Sequence, residues 1–141
     1  MTVFDLSEPY DESNVIFEYP FGKKEHIKLW SSTMYFDDGR VLELTDYHAQ
    51  DWCEDVYADW SSLPSEKIDI TCDGFKIKAI GGQGFVIHFY NEGELGTIHK
   101  YLVNCYNIQN GYYSDQLELQ VYLNKDKIAT VDITGYTSYE E

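Results

Sequence analysis

Few residues of this chain have side chains suited to chemistry, and most of those are carboxylates. In the stretch DYHAQDWCEDVYADW, from Asp46 to Trp60, Asp51, Asp55 and Asp59 recur every fourth residue with Glu54 beside them. Wound as an α-helix, that spacing sets the acids on one face at intervals of about 6 Å of rise. Ala49, Trp52, Cys53, Val56, Tyr57 and Trp60 gather on the other face. Such a row performs no reaction. Its spacing resembles that of phosphates along one nucleic-acid strand, so it suits presentation to a protein that binds a phosphate backbone. Two plainer readings compete. Asp51 and Glu54 fit the capping box of an ordinary surface helix, and Val56, Ala58 and Trp60 also alternate as in a strand. Pro64 ends regular structure in either case.

The remaining candidates point away from catalysis. His26, His48, His88 and His99, with Cys53, Cys72 and Cys105, contain no pair at the short spacing of a structural zinc module, so no metal and no cofactor is expected. Three cysteines without a CxxC fit a reduced compartment and small buried hydrophobes. Gly81-Gly82-Gln83-Gly84 lacks the Lys-Ser or Lys-Thr of a phosphate loop and runs into a strand pattern, which makes it a hairpin turn. Asp37 and Asp38 are adjacent carboxylates, but a turn favours such residues anyway. An enzyme is therefore not expected. Tyr112 and Tyr113, in a loop softened by Gly111 and Ser114, are the tyrosines best suited to contact a partner, since one side chain offers apolar area and a hydroxyl.

As a whole, the chain of 141 residues makes one domain with room for a core. There are 25 acids against 10 lysines and arginines, a formal charge of −15. Residues 1–66 carry 15 acids and 4 bases, so most of the negative field lies in the first half. Nucleic acid and anionic membrane would both be repelled, whereas a basic protein surface would be attracted. Acidity kept for solubility alone is the other possibility. The N-terminus has no basic segment followed by an apolar one, and no run of 18 apolar residues occurs. Neither secretion by a signal peptide nor membrane spanning is expected, and a cytoplasmic setting follows.

The elements that must position these groups are mostly strands. Residues 1–13 read as an acidic arm, followed by a single domain over 14–141. Residues 14–19 and 26–30 read as strands separated by Pro20-Phe21-Gly22, and residues 33–36 and 40–44 as a hairpin turning at Asp38-Gly39. After the acidic stretch, residues 67–71, 74–80, 85–90, 101–106, 117–122 and 128–133 are rich in residues that suit pleated sheet. The expected fold class is α+β, an antiparallel β-sheet meander with one amphipathic acidic helix packed on it.

Two stretches carry a resemblance. Asp37-Asp38-Gly39-Arg40-Val41-Leu42-Glu43-Leu44 followed by His48 to Tyr57 resembles the centre of an uncharacterised family of small phage-encoded domains, with a D-G hairpin and then a D-C-C-E-x-V-like element. Asn110-Gly111-Tyr112-Tyr113-Ser114 is similar to its second recurring piece, N-G-Y-Y-S. Trp52 stands where that family often has its first cysteine, so no metal or redox role carries over. The resemblance implies a phage or mobile-element origin and no established activity.

Together these features give the expected function: a phage-encoded inhibitor of a host defence nuclease, of the anti-CRISPR kind, acting in the host cytoplasm. In this reading Asp51, Glu54, Asp55 and Asp59, with Tyr112 and Tyr113, meet the basic nucleic-acid-binding surface of the partner and occlude it as an acidic DNA mimic. A sponge for a nucleotide defence signal, with tyrosines stacking on bases, is one alternative. An immunity protein against a nuclease toxin is another.

Overall fold

Apolar residues at every second position build this protein, and they build it almost entirely from strands. The computed structural model describes residues 14–48, 56–93, 99–108 and 116–138. Nine strands are present among them: β1 (Val15–Trp30), β2 (Thr33–Phe36), β3 (Val41–His48), β4 (Val56–Asp59), β5 (Ile68–Ile80), β6 (Gly84–Tyr90), β7 (His99–Asn107), β8 (Leu117–Leu123) and β9 (Asp126–Asp132). They form one sheet in the order β4-β7-β6-β5-β1-β2-β3-β8-β9. Every pairing between strands is antiparallel. The only helical pieces among the described residues are 3-10 turns, such as Trp60–Ser62 and Thr134–Tyr136.

The α+β expectation is therefore overturned, and so is the simple meander. Asp46 and His48, at the start of the supposed helix, lie in β3, and Val56–Asp59, at its end, is β4. Residues 49–55 lie outside the described residues, as does the acidic arm of residues 1–13. In β4, Val56 and Ala58 point into the core and Tyr57 and Asp59 are half-buried, a period of two. β7 supplies the reason: Val56 pairs with Asn107, Tyr57 with Tyr106, Ala58 with Cys105 and Asp59 with Asn104. A short helix is marginal in water and draws its stability from packing. A ladder to β7 satisfies the same backbone groups while burying Val56 and Ala58. The meander fails because β8 pairs with β3 rather than with β7.

β1 is long because Pro20 and Gly22 bend it without ending it. Its first half pairs with the second half of β5, from Val15 opposite Lys78 to Pro20 opposite Gly74, and its second half pairs with the first half of β5 after a register shift between Pro20 and Glu25. A bulge of this kind sharpens the local twist. The inward set of β5 changes phase at the same place, from Ile70 and Cys72 to Phe75 and Ile77, all buried. Bent here, the sheet curls around one core that includes Phe75, Phe85, Phe89, Leu29, Met34 and Leu119.

The curl brings distant strands together. The Asp46 carboxylate, on β3, accepts the Ala58 N–H at 3.0 Å and the Trp60 Nε1–H at 2.9 Å. Past β9, Ser138 forms a parallel bridge with Tyr106 of β7. β6 is buried along its whole length, including His88 on the face away from the core.

Candidate functional site

Of the six residues singled out from the sequence for partner contact, only Asp59 is described. Asp51, Glu54, Asp55, Tyr112 and Tyr113 lie outside the described residues. Asp59 ends β4, and its carboxylate accepts the Ser61 N–H at 3.0 Å, capping the 3-10 turn that follows. Hydrogen bonds from Ser61 hold this carboxyl below its usual range. Its role is local. Because Asp59 sits in a strand, the i, i+4, i+8 geometry of a helical carboxylate row does not apply to it.

The groups considered for catalysis are spoken for by the fold. Burial pushes the Cys72 thiol up to about 11 and the Cys105 thiol up to about 12, with the Asp46 carboxylate adding to the second. Both stay protonated at neutral pH and pack as small hydrophobes, while Cys53 lies outside the described residues. No group of three or more His, Cys, Asp or Glu side chains suited to a metal ion occurs among the described residues. Gly81-Gly82-Gln83 is the turn between β5 and β6, closed by the Gln83 N–H donating to the Ile80 carbonyl at 3.1 Å.

Asp37 and Asp38 instead belong to a charged network at the turn between β2 and β3. His26, on β1, places Nδ1 2.7 Å from Asp37 Oδ1 and Nε2 2.8 Å from Asp69 Oδ1. A neutral imidazole has one N–H, so satisfying both carboxylates as acceptors requires the imidazolium. These hydrogen bonds, to Asp37 first and then Asp69, raise the His26 pKa above 6.5. Beside it, Arg40 pairs with Asp38 at 2.8 Å and with Glu25 at 2.5 Å, and its guanidinium lies 4.4 Å from the centre of the Phe36 ring.

The network has a measurable sign. A histidine whose folded pKa is raised contributes stability that is fully present below the unfolded value of 6.5 and is lost as pH rises through the folded value. The urea midpoint should thus fall as pH increases above 6.5. His26→Gln should flatten that part of the profile. An unchanged slope in the variant would assign the dependence to another group.

A cleft that could receive a ligand lies on the outer face of β2, β3 and β8. A cleft of about 430 Å³ is lined by Thr33, Tyr35, Val41, Glu43, Tyr122, Asn124 and Lys125, a size within the range of small-ligand sites, roughly 300–1,000 Å³. Its members are brought together by register. Glu43 is opposite Thr33 on one side and Tyr122 on the other, and Tyr35 is opposite Val41. The β8–β9 turn closes one end, with Asn124 at φ 51 and Lys125 at φ 74, the backbone a two-residue hairpin needs. Asn124 pins that turn to β3: its N–H donates to the Val41 carbonyl at 2.8 Å, and its Oδ1 accepts the Val41 N–H at 2.9 Å. Next to the cleft, the Lys67 ammonium lies 4.9 Å from the centre of the Tyr35 ring and 5.5 Å from that of Trp30, which is 45% exposed.

The sequence contained half of this site. Thr33, Tyr35, Val41 and Glu43 are the outward positions of the hairpin whose inward positions are Met34, Phe36, Leu42 and Leu44. The other half, from β8 and its turn, is some eighty residues away and carries no local signal that it joins them.

Comparisons with family models, with curated proteins and with solved structures find no match to this chain. No helix among the described residues is long and apolar enough to cross a membrane.

Proposed function

We propose that this protein is a non-catalytic, acidic binding protein that occludes the basic nucleic-acid-binding surface of a partner. The family resemblance implies a phage or mobile-element origin, and the setting we propose within it is that of an inhibitor of a host defence nuclease, of the anti-CRISPR kind, at work in the host cytoplasm. The observation that carries the reading is the excess of 25 acids over 10 bases, together with its placement. Glu18, Glu43, Glu66, Glu92, Asp126 and Asp132 are all exposed, on different strands and turns.

That placement changes the mechanism. A phosphate-spaced helical row is no part of it, because Val56–Asp59 is a strand. The described carboxylates instead give a broad negative field, which steers a basic surface into contact and competes with nucleic acid for the same lysines and arginines. Buried thiols and a histidine held by two carboxylates leave little for catalysis among the described residues.

The test uses the full chain immobilised at low salt against a lysate of the phage's host. Captured proteins should be nucleic-acid binders that duplex DNA elutes, and their DNA binding should fall as this protein is added. Capture should weaken steeply between roughly 50 and 200 mM salt, the range over which contacts that replace phosphate lose most affinity. Captured proteins that bind DNA equally well at saturating inhibitor would exclude occlusion. Salt-independent capture would exclude the electrostatic mechanism.

A further inference from the structure

We propose that the cleft between the β2–β3 hairpin and the β8–β9 turn binds a small aromatic anion of the nucleoside monophosphate class. The site goes beyond the occlusion reading and does not rest on it. Tyr35 and Tyr122 line the cleft from β2 and β8, with Val41 and Glu43 of β3 between them. Because β2 and β8 both flank β3, their backbones lie about 10 Å apart, two strand spacings of about 4.8 Å. One flat ring fits between the two tyrosines with Val41 as its floor. A volume of about 430 Å³ leaves room for a sugar and one phosphate beside it.

Lysines set the sign of the ligand. Lys125 is in the lining, Lys127 is opposite Tyr122 on β9, Lys28 is opposite Tyr35 on β1, and the Lys67 ammonium sits over the Tyr35 ring. These are four of the chain's 10 lysines and arginines, and none of the four forms an ion pair among the described residues. Carboxylates compete with them less well. Glu43 is the one in the lining, and Glu66 neighbours Lys67 in the chain. Asp69, opposite Lys28, is held by His26. Asp126 is opposite Leu123, which packs on the core, so it points to the other face. The formal charge of −15 does not reverse this balance, because at physiological salt exposed charges more than about 8 Å away are largely screened. Glu43 repels the phosphate, which therefore lies toward Lys125 and Lys127 at the turn. A nucleic-acid strand would run past these lysines onto acidic surface, so the site takes a single phosphate.

The probe is adenosine monophosphate, titrated into the labelled protein and followed by backbone amide shifts. Adenosine, which lacks the phosphate, and ribose 5-phosphate, which lacks the base, are the controls. The nucleotide should shift the amides of Tyr35, Val41, Tyr122 and Lys125 saturably and bind more tightly than either control. Lys125→Asn and Lys127→Gln should each weaken it roughly two- to fivefold, the range expected of an exposed ion pair, and leave adenosine binding within error. Lys23→Gln removes the same charge at the exposed bend of β1, outside the cleft, and should leave nucleotide affinity within error. Glu43→Gln should tighten nucleotide binding by removing the carboxylate from the lining. Tyr122→Leu, if folded, should weaken the nucleotide and adenosine alike by removing one ring.

Equal affinity for either control, unchanged affinity in both cleft lysine variants, weaker binding by Glu43→Gln, or tighter binding of a single-stranded octanucleotide would each overturn the site. The two proposals fail separately. Nucleotide binding by a protein that leaves its partner's DNA binding intact defeats occlusion alone. Salt-sensitive occlusion by a protein that ignores adenosine monophosphate defeats the nucleotide site alone.

Discussion

Gly84→Ala is expected to remove a large part of this protein's stability. At φ +148, glycine 84 occupies backbone that side chains rarely adopt, and a Cβ there would lie 2.1 Å from the Val103 carbonyl oxygen and 2.9 Å from the Cys105 nitrogen. Both obstacles are backbone of β7, the neighbouring strand, and cannot rotate aside. Left-handed strain costs about 1–3 kcal/mol. Separating β6 from β7 to admit the methyl adds to that, so a total on the order of 4 kcal/mol or more is expected, out of roughly 5–15 kcal/mol for a typical domain.

Two neighbours calibrate the effect. Gly82, at φ +72 with open space around its Cβ, should cost about 1 kcal/mol as alanine, the conformational part alone. Gly81, with open space and no such φ, should change stability by less than about 0.5 kcal/mol. Urea unfolding followed by circular dichroism reads all three. A Gly84→Ala midpoint equal to the parent's would mean that β6 does not approach β7 as described.

Asp46→Ala is expected to produce the second largest loss. Asp46 lies on β3, and its two carboxylate oxygens accept from the Ala58 N–H and the Trp60 indole of the strand β4 and the turn after it. β3 and β4 are not ladder neighbours in the sheet, and this carboxylate supplies hydrogen bonds that join them as the sheet curls. Removing it leaves two donors in half-buried or buried surroundings. Each donor left unsatisfied costs about 1–3 kcal/mol, and roughly 2–4 kcal/mol is expected for the pair. Asp46→Asn keeps one acceptor and should lose about half as much. Tryptophan fluorescence during urea unfolding reports the change directly, because Trp60 donates one of the two bonds. A loss under about 0.5 kcal/mol in the alanine variant would show that contacts other than this carboxylate join these strands.

Asp46 also opens the stretch whose local pattern is ambiguous. Within the stretch from Asp46 to Trp60, a period near four was present in the acids and a period of two in Val56, Ala58 and Trp60. Both patterns satisfy a local rule, and the choice between them depends on residues far along the chain. β7, about fifty residues later, offers the ladder that makes Val56–Asp59 a strand. For some other elements the local signals sufficed. Alternation with a D-G turn located β2 and β3, and the glycine pair at 81–82 located the turn from β5 to β6. The long strands β1 and β5 each carry the local signals of two, because Pro20, Gly22 and Gly74 mark interruptions that in the folded protein are bends within a continuous strand.

The candidate site divides in the same way. Composition alone set the sign of the protein's own charge, because a count of carboxylates does not depend on how the chain folds. Alternation alone set which side chains of the β2–β3 hairpin face outward, because successive residues of a strand point to opposite faces. Only the tertiary structure put Tyr122 beside Glu43, put Asp37 and Asp69 on the two nitrogens of His26, and turned Asp59 into a cap. Strand order and register are decided by which distant edges find each other as the core closes, and no window of neighbouring residues contains that information.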